Sequence, residues 1–207
     1  MIDPPLSIDP VARTKLDRAT IVRAALELLN ETGLDGLSTR RLADRLGVQS
    51  PTLYWHVKNK RELLDLMASA ILFRAPDGLD MSGPWWVWAA NLARLIRANL
   101  LEYRDGARVV AGTRPTDALG STGVPGLFDR LAAQGLARPD AWHLIAGLSR
   151  FALGWTIDEQ AARSRSPDTY PGVDFDAEFE FGLQALVEGL RGKLAATWKP
   201  EDPPDQS

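Results

Sequence analysis

Apolar residues recur at helical spacing along most of this chain. Between residues 16 and 32, a stripe containing Ile21, Ala25 and Leu28 predicts a first helix that stops at Gly33. The same periodicity predicts further helices over residues 59–74, 84–101, 124–134, 139–160 and 175–198. No segment shows the strict alternation of a half-buried strand, so the predicted fold class is all-α.

A pair of short helices joined by a tight turn is predicted between residues 38 and 57. Ser38 is expected to cap the first helix, and Gly47 to end it by adopting a positive φ. Ser50 and Pro51 are expected to open the second helix, because serine caps helices and proline gives up no N–H that the first turn needs. This spacing is typical of a helix-turn-helix that binds DNA, although an amphipathic hairpin inside an all-α core has the same pattern.

The second of these helices has two distinct faces. Leu53 and Val57, four residues apart, are expected to face inward. The other face would carry hydroxyl, aromatic and imidazole groups, which suit a major groove. These groups belong to Thr52, Tyr54, Trp55 and His56.

Composition narrows the functional classes. The chain has 207 residues, of which 45% are hydrophobic and 25% charged, and it contains no cysteine, which excludes disulfides and thiolate chemistry. The N-terminus has prolines and aspartates where a signal peptide needs an apolar run, and no segment is predicted to span a membrane, so we expect a cytoplasmic protein. No recognisable catalytic set is present, and we therefore expect no enzymatic activity.

The net charge of −3 conceals an asymmetry. Residues 13–62 carry ten basic and six acidic side chains, a net charge of +4, whereas the rest of the chain carries 14 and 21, a net charge of −7. A basic N-terminal quarter on an acidic body is typical of a DNA-binding module attached to another domain. Within it, Asn59 and Glu62 resemble a capping box that begins the linking helix.

Two C-terminal helices contain interior glycines, each of which costs about 1 kcal/mol relative to alanine. The cost is tolerable where another helix approaches closely, either within one subunit or across an interface between two subunits. A helix-turn-helix that reads a half-site usually works as a symmetric dimer, which favours the interface. The candidate dimer contacts are Gly147, Phe151, Gly154, Phe179, Gly182, Leu183, Leu186, Gly189 and Leu190.

Several segments, in order along nearly the whole chain, resemble the TetR family of bacterial repressors and, within it, the tetracycline repressors. They include Pro51-Thr-Leu-Tyr-Trp-His-Val-Lys-Asn-Lys60, Tyr103-Arg-Asp-Gly-Ala-Arg-Val and Gly112-Thr-Arg-Pro-Thr116. The resemblance implies a homodimer whose last two long helices form a four-helix bundle with their counterparts. It also implies a DNA-facing set made of Thr39, Arg40, Thr52, Tyr54, Trp55, His56 and Lys60. Ser50 stands where the relatives carry a base-reading glutamine just before the proline, and Gln49 lies one position earlier, so a different operator is expected.

The effector site departs further from that resemblance. The position of the magnesium-ligating histidine is Val110, and the drug-holding asparagine and phenylalanine fall on Leu92 and Ile96. A second pocket histidine falls on Arg150, and the outer acidic residue on Asp158. We therefore expect no bound metal or cofactor and no response to magnesium–tetracycline at tetracycline-repressor sensitivity.

The rest of the candidate pocket allows two interpretations at each position. In the family, the turn formed by Thr113, Arg114 and Pro115 lines the pocket and moves on ligand binding; a static turn is the alternative. Trp88 and Trp155 either line an aromatic cavity or fill the core.

These expectations combine into one predicted organisation. A flexible segment (1–15) precedes a helix-turn-helix domain (16–62), a helical effector-binding and dimerisation domain (63–198) and a disordered tail (199–207). The predicted function is a dimeric repressor that a small hydrophobic or aromatic effector releases from operator DNA. An effector-independent regulator and an activator of transcription remain as alternatives.

Overall fold

The computed structural model describes residues 16–73, 82–113, 126–165 and 171–195. Within these ranges the chain forms nine α-helices and no strand, which confirms the all-α prediction. In chain order they are α1 (Arg18–Gly36), α2 (Thr39–Leu46), α3 (Ser50–Tyr54), α4 (Lys60–Leu72), α5 (Trp85–Leu101), α6 (Gly106–Ala111), α7 (Leu127–Ala133), α8 (Arg138–Arg163) and α9 (Phe175–Ala195). No helix in the described ranges is both long enough and apolar enough to cross a bilayer.

The first helix begins and ends later than the pattern predicts. The Asp17 carboxylate accepts a hydrogen bond from the Thr20 N–H at 2.8 Å, and this cap sets the N-terminus at Arg18. Gly33 interrupts the helix, because its φ of 70° and ψ of 175° are not helical, and a short helical turn follows through Gly36. The predicted stop at Gly33 is therefore confirmed as a break in the helix, and the element continues beyond that break to Gly36.

The turn between α2 and α3 confirms two predicted features and corrects a third. The Ser38 hydroxyl oxygen accepts from the Arg41 N–H at 3.2 Å, and Gly47 has a φ of 65° at the end of α2. The prediction that Ser50 caps α3 is wrong: Gln49 is the cap residue and makes no side-chain cap bond. Ser50 already has a helical backbone, so its hydroxyl is not placed to reach the free N–H groups of the first turn.

The third helix is also shorter than expected. It ends at Tyr54, so Trp55 and His56 follow the helix rather than lie within it. Leu53 and Val57 are both buried, as predicted. Backbone bonds from the N–H groups of His56 and Val57 to Leu53 O keep these residues in a compact turn.

The linking helix α4 begins at a capping box of a shifted kind. The Asn59 side-chain oxygen accepts from the Glu62 N–H at 2.9 Å, as predicted. The Glu62 carboxylate accepts from the Lys58 N–H at 2.7 Å, one residue before the cap. The inner stripe of α4 packs against α1, α5 and α6 and contains Leu63, Met67 and Ile71.

The C-terminal half packs around α5, which contacts α4, α6, α8 and α9. Its buried stripe includes Trp88, Leu92 and Ile96. Helix α8 extends to Arg163, beyond the predicted end at residue 160, and α6 is too short to show a period in the sequence. The predicted flexible segment 1–15, the predicted ends of the linking helix at residue 74 and of the last helix at residue 198, and the predicted tail 199–207 lie outside the described residues.

Candidate DNA-binding face and ligand-binding core

The surface formed by α3 and the turn after it has one side buried in the core and one side exposed to solvent. Leu53 and Val57 are buried in the hydrophobic core. On the other side, Tyr54 is 47% exposed, Trp55 is 88% exposed and Thr52 is exposed as well. The exposed Trp55 ring lies next to residues that are fixed in the core, so it is available for contact with a partner.

The start of α2 belongs to the same surface. Thr39 Oγ1 and the Tyr54 hydroxyl lie 3.3 Å apart, in hydrogen-bond contact. This contact joins the first turn of α2 to the end of α3. Arg40, next to Thr39 at the start of α2, is exposed.

Lys60 has a structural contact that the sequence did not predict. Its Nζ donates to the Leu37 carbonyl oxygen at 2.8 Å, which ties the start of α4 to the corner between α1 and α2. An ammonium group has three donors, so Lys60 retains others for a phosphate. Gln49 is exposed and Ser50 is partly buried at the start of α3.

The sequence pattern did not predict the role of Arg18, which holds the turn after α3 in place. Its Nε donates to the His56 carbonyl oxygen at 3.1 Å, and its Nη2 lies 3.1 Å from the Glu62 carboxylate. The His56 side chain is partly buried. A basic residue at the first turn of α1 was the available signal, but its partners are 38 and 44 residues away along the chain.

A polar junction joins α1 to the turn between α5 and α6. Asp105, the non-glycine residue with a positive φ (58°) among those described, accepts from the Leu34 N–H at 2.9 Å. The Arg104 N–H donates to the Asn30 side-chain oxygen at 2.8 Å. Because these bonds flank the Gly33 bend, the DNA-binding helices and the C-terminal helices meet through oriented hydrogen bonds.

Ion pairs also connect α6 to the end of α1. Arg108 on α6 pairs with Asp35 at 3.1 Å and with Asp105 at 3.2 Å. The hydrogen bond from Arg108 lowers the pKa of the Asp35 carboxyl below its usual value. The start of α6 is therefore connected directly to the end of α1.

The predicted ligand-binding positions divide into a buried and an exposed group. Trp88, Leu92, Ile96 and Val110 are all buried within this chain. Arg150 and Asp158 are exposed on α8, so the structure does not bring their side chains into that buried set.

Two further predicted pocket residues, Trp155 and Thr113, are partly buried. Trp155 is partly buried and packs on Phe151 and Phe179. The Thr113 hydroxyl donates to the Val110 carbonyl oxygen at 2.7 Å, which holds the last turn of α6 together. Arg114 and Pro115 lie outside the described residues. Among those that are described, no group of three or more His, Cys, Asp or Glu side chains is placed to hold a metal ion.

The proposed dimer positions on α9 require a correction. Phe179 and Leu183 are completely buried inside the chain, so their side chains are core rather than surface. Phe179 lies 5.4 Å from the Phe151 ring centre, between α8 and α9. A Cβ on Gly182 would lie 3.0 Å from Phe151 Cζ, so this glycine serves close packing within the subunit.

Three other glycines have open space beside them. A Cβ at Gly147, Gly154 or Gly189 would meet nothing within 4 Å, whereas Leu186 and Leu190 are partly buried. Phe181, which the sequence-based prediction omitted, is 78% exposed on α9. Its signal was an apolar residue two positions out of step with the core stripe of that helix.

Comparison with known proteins gives two family matches that together span most of the chain. Residues 21–67 match the model for bacterial regulatory proteins of the tetR family, and residues 78–171 match the tetracyclin repressor-like C-terminal domain. The tetracycline repressor protein class D of Escherichia coli is 40% identical over 202 residues, covering 88% of this chain and 92% of the relative.

Solved structures agree with this similarity. The class A TetR in complex with 5a,6-anhydrotetracycline and magnesium is 39% identical with a TM-score of 0.71, covering 86% of this chain and 99% of that one. BioQ with its double-stranded DNA operator is 32% identical with a TM-score of 0.67, covering 86% and 99%.

Proposed function

Because the chain belongs to the TetR family of bacterial regulatory proteins, we propose that it acts as a homodimer that a small effector releases from its operator. It is a DNA-binding transcriptional repressor with a ligand-binding domain and not an enzyme, as the family is. We assign the DNA-binding part to residues 16–62 and the effector and dimer part to residues 63–198. The observation that carries the proposal is the anchored α3 turn with Tyr54 and Trp55 exposed in front.

In the proposed complex, each subunit places the α3 turn in one major groove, with the two grooves about 34–36 Å apart. Arg40 is suited to a bidentate contact with guanine O6 and N7, because its planar fork matches them. Tyr54 and Thr52 offer ring or methyl contacts to thymine. Lys60 supplies a phosphate contact, which adds affinity and salt dependence but no sequence choice.

Fluorescence anisotropy on DNA from the region upstream of the gene tests this division of roles. We expect binding at least about a thousandfold tighter than to a scrambled duplex, with two protomers per site. Tyr54→Ala should weaken specific binding more than non-specific binding. Lys60→Ala should weaken both specific and non-specific binding and reduce the dependence of DNA affinity on salt concentration. Lys58→Ala is the control at a neighbouring lysine. Equal effects of the Tyr54 and Lys60 variants on both duplexes would contradict the assignment.

The effector is proposed to act on the buried set around α5 and α6. Leu92, Ile96 and Val110 are apolar where a magnesium–tetracycline site would need polar ligands. Ligand binding there would change, through α4, the relative position of the two α3 turns in the dimer. With a coupling free energy of about 1–3 kcal/mol, it would weaken DNA affinity several-fold to about a hundredfold. Release of the operator by nanomolar anhydrotetracycline with magnesium would refute this departure from the relatives.

The proposed dimer forms through α8 and α9. The support is the open space beside Gly154 on α8 and Gly189 on α9, together with the exposed Phe181 ring on α9. Small residues allow two helices to approach closely, and an exposed aromatic ring gains from burial. Sedimentation should give a dimer that Phe181→Glu dissociates, while Gln184→Glu on an exposed position of the same helix leaves it intact. A monomeric wild-type protein would overturn this part of the proposal.

A further inference from the structure

The turn after α3 is held at two points by residues from other helices. Arg18 Nε on α1 donates to the His56 carbonyl oxygen at 3.1 Å. The Glu62 carboxylate on α4 accepts from the Lys58 N–H at 2.7 Å. Arg18 and Glu62 are themselves joined, because Arg18 Nη2 lies 3.1 Å from Glu62 Oε1. These contacts close a ring around residues 56–58, and we call the pair that closes it the Arg18–Glu62 clamp.

The two clamp residues lie on helices that are fixed by caps and by the core. Helix α1 begins at a side-chain cap, and Arg18 lies in its first turn. Glu62 precedes Leu63, which is 1% exposed. Of residues 55–58, Val57 alone is buried, so the turn has less support of its own. The clamp therefore joins a weakly packed turn to two well-packed helices.

The Glu62 contacts differ from those of a residue that only caps a helix. In a capping box, the acidic side chain at this position bonds the N–H of the cap residue, which here is Asn59. Glu62 bonds instead to the N–H of Lys58, which belongs to the turn. Its other oxygen accepts from Arg18 on α1. Both carboxylate oxygens thus bind groups outside α4.

The clamp acts next to an aromatic ring of the proposed DNA-binding surface. Trp55 is 88% exposed and directly precedes His56, whose carbonyl oxygen Arg18 holds. One planar peptide unit joins the two residues, so fixing the His56 backbone restricts the backbone that carries the Trp55 ring. Contacts with base edges need that backbone in one geometry, whereas attraction to phosphates does not.

The charge of Glu62 and its contacts predict opposite effects on DNA binding. Lys58, Lys60 and Arg61 lie within four residues of it and are exposed. DNA phosphates attract these basic groups and repel a carboxylate. If Glu62 acted only through its charge, its removal would tighten binding to every duplex. If it acts through the clamp, its removal weakens binding to the operator alone.

We infer that Arg18 and Glu62 are positioning residues for operator recognition, which hold the backbone of residues 55–58 in the geometry that the major groove requires. An exposed ion pair adds little to folding stability, so the main effect is on how often the free protein has that geometry. Apparent affinity falls in proportion to this fraction. The inference rests on the proposed DNA-binding role of the α3 turn and adds to it two residues that determine specificity.

Fluorescence anisotropy of the full-length protein on the upstream and scrambled duplexes tests the sign of the effect. If Glu62→Ala leaves the bound geometry populated about a third of the time, operator affinity falls about threefold per subunit and about tenfold for a dimer on two half-sites. A threefold change is about 0.6 kcal/mol, within the range of an exposed ion pair. Affinity for the scrambled duplex should stay the same or rise.

Asp65→Ala is the matched control for Glu62→Ala. It removes the same charge from an exposed position one turn further along α4. Because Asp65 is not part of the clamp, operator affinity should stay the same or rise in this variant. A tenfold loss in both variants would assign the effect to charge or to the helix and overturn the positioning role.

Arg18→Lys separates positioning from a direct phosphate contact. Lysine keeps the positive charge but lacks the planar fork that bonds two acceptors at once. We therefore expect operator affinity to fall as in Glu62→Ala, while the salt dependence of binding to the scrambled duplex stays that of the wild type. Arg23→Lys, at an exposed position of the same helix, is the control. The double variant should bind no more weakly than Glu62→Ala alone, because both changes remove one set of contacts.

Amide hydrogen exchange in the free protein distinguishes a loosened turn from a frayed helix. The Lys58 N–H is held by the clamp, whereas the Leu63 N–H bonds to the Asn59 carbonyl oxygen at 3.2 Å at the start of α4. Glu62→Ala should speed exchange at Lys58 and leave Leu63 near its wild-type rate. Equal acceleration at both sites would show that Glu62 only caps α4 and would overturn the inference.

The binding data also separate this inference from the proposed function. Suppose that the wild-type protein discriminates the two duplexes, but Glu62→Ala and Arg18→Lys bind the operator as tightly as it does. The clamp would then have no positioning role, and the proposed function would stand. A wild-type protein that binds both duplexes equally would overturn the proposed function and the positioning role with it.

Discussion

Glu159→Ala is the substitution that most directly tests how the C-terminal helices are held together. The Glu159 carboxylate is completely buried and accepts two hydrogen bonds from Arg97 and two from Arg163. Arg97 also reaches Asp176 at 2.6 Å and lies 4.7 Å from the Phe179 ring centre. One guanidinium thus connects α5, α8 and α9.

The expected magnitude follows from the charge left behind. The Arg97 side chain is only 11% exposed, and after the substitution its remaining carboxylate partner, Asp176, is 78% exposed and strongly hydrated. Removing one member of a buried ion pair costs about 3–5 kcal/mol. Asp176→Asn removes an exposed partner of the same guanidinium and should cost about 0.2–1 kcal/mol.

Urea unfolding followed by tryptophan fluorescence measures both values, at one fixed protein concentration because association adds to apparent stability. With an m-value of about 3 kcal/mol/M, Glu159→Ala should lower the midpoint by about 1–2 M. The double variant Arg97→Met with Glu159→Leu should recover most of the loss, since an apolar pair leaves no buried charge. A loss from Glu159→Ala no larger than that from Asp176→Asn would refute the reasoning.

Three further substitutions give separate predictions. Gly33→Ala should destabilise the protein by about 1–2 kcal/mol or more, because φ is left-handed and the new Cβ would lie 2.9 Å from an Asp105 carboxylate oxygen; thermal unfolding that matches the wild type would contradict this. Arg94 lowers the pKa of the Glu180 carboxyl by hydrogen bonding, so that pair stabilises the fold above the unfolded-state pKa of the carboxyl and loses its effect as pH falls through the lower folded-state value. Glu180→Gln should therefore flatten the acid side of a plot of melting temperature against pH, and an unchanged acid side would count against the pair. Gly182→Ala should lower the free energy of unfolding by forcing the aromatic ring 3.0 Å away to shift, and equal stability would show that the ring moves freely.

Local sequence determined the features that depend on neighbours a few residues apart. The caps at Ser38 and Asn59 and the left-handed Gly47 were predictable because each involves one short stretch of backbone. The Ser50 cap failed for a local reason as well: two adjacent polar residues precede Pro51, and the chain places the earlier one at the cap.

The candidate site residues likewise include some that local sequence determined and others that depend on long-range contacts. The buried Leu53 and the exposed Tyr54 followed from the helical period, whereas the Lys60 contact with Leu37 joins residues 23 positions apart. No periodicity encodes such a contact.

The sequence by itself determined an all-α chain with a helix-turn-helix near its start, because side chains on a helix repeat every 3.6 residues. Only the tertiary structure decided that Arg97 on α5 meets Glu159 on α8, since 62 residues separate them and the packing of the two helices selects the pair. It also decided that Asp105 meets Leu34 across 71 residues of chain. Long-range contacts of this kind depend on how whole helices pack, and packing is a property of many side chains together rather than of any one segment.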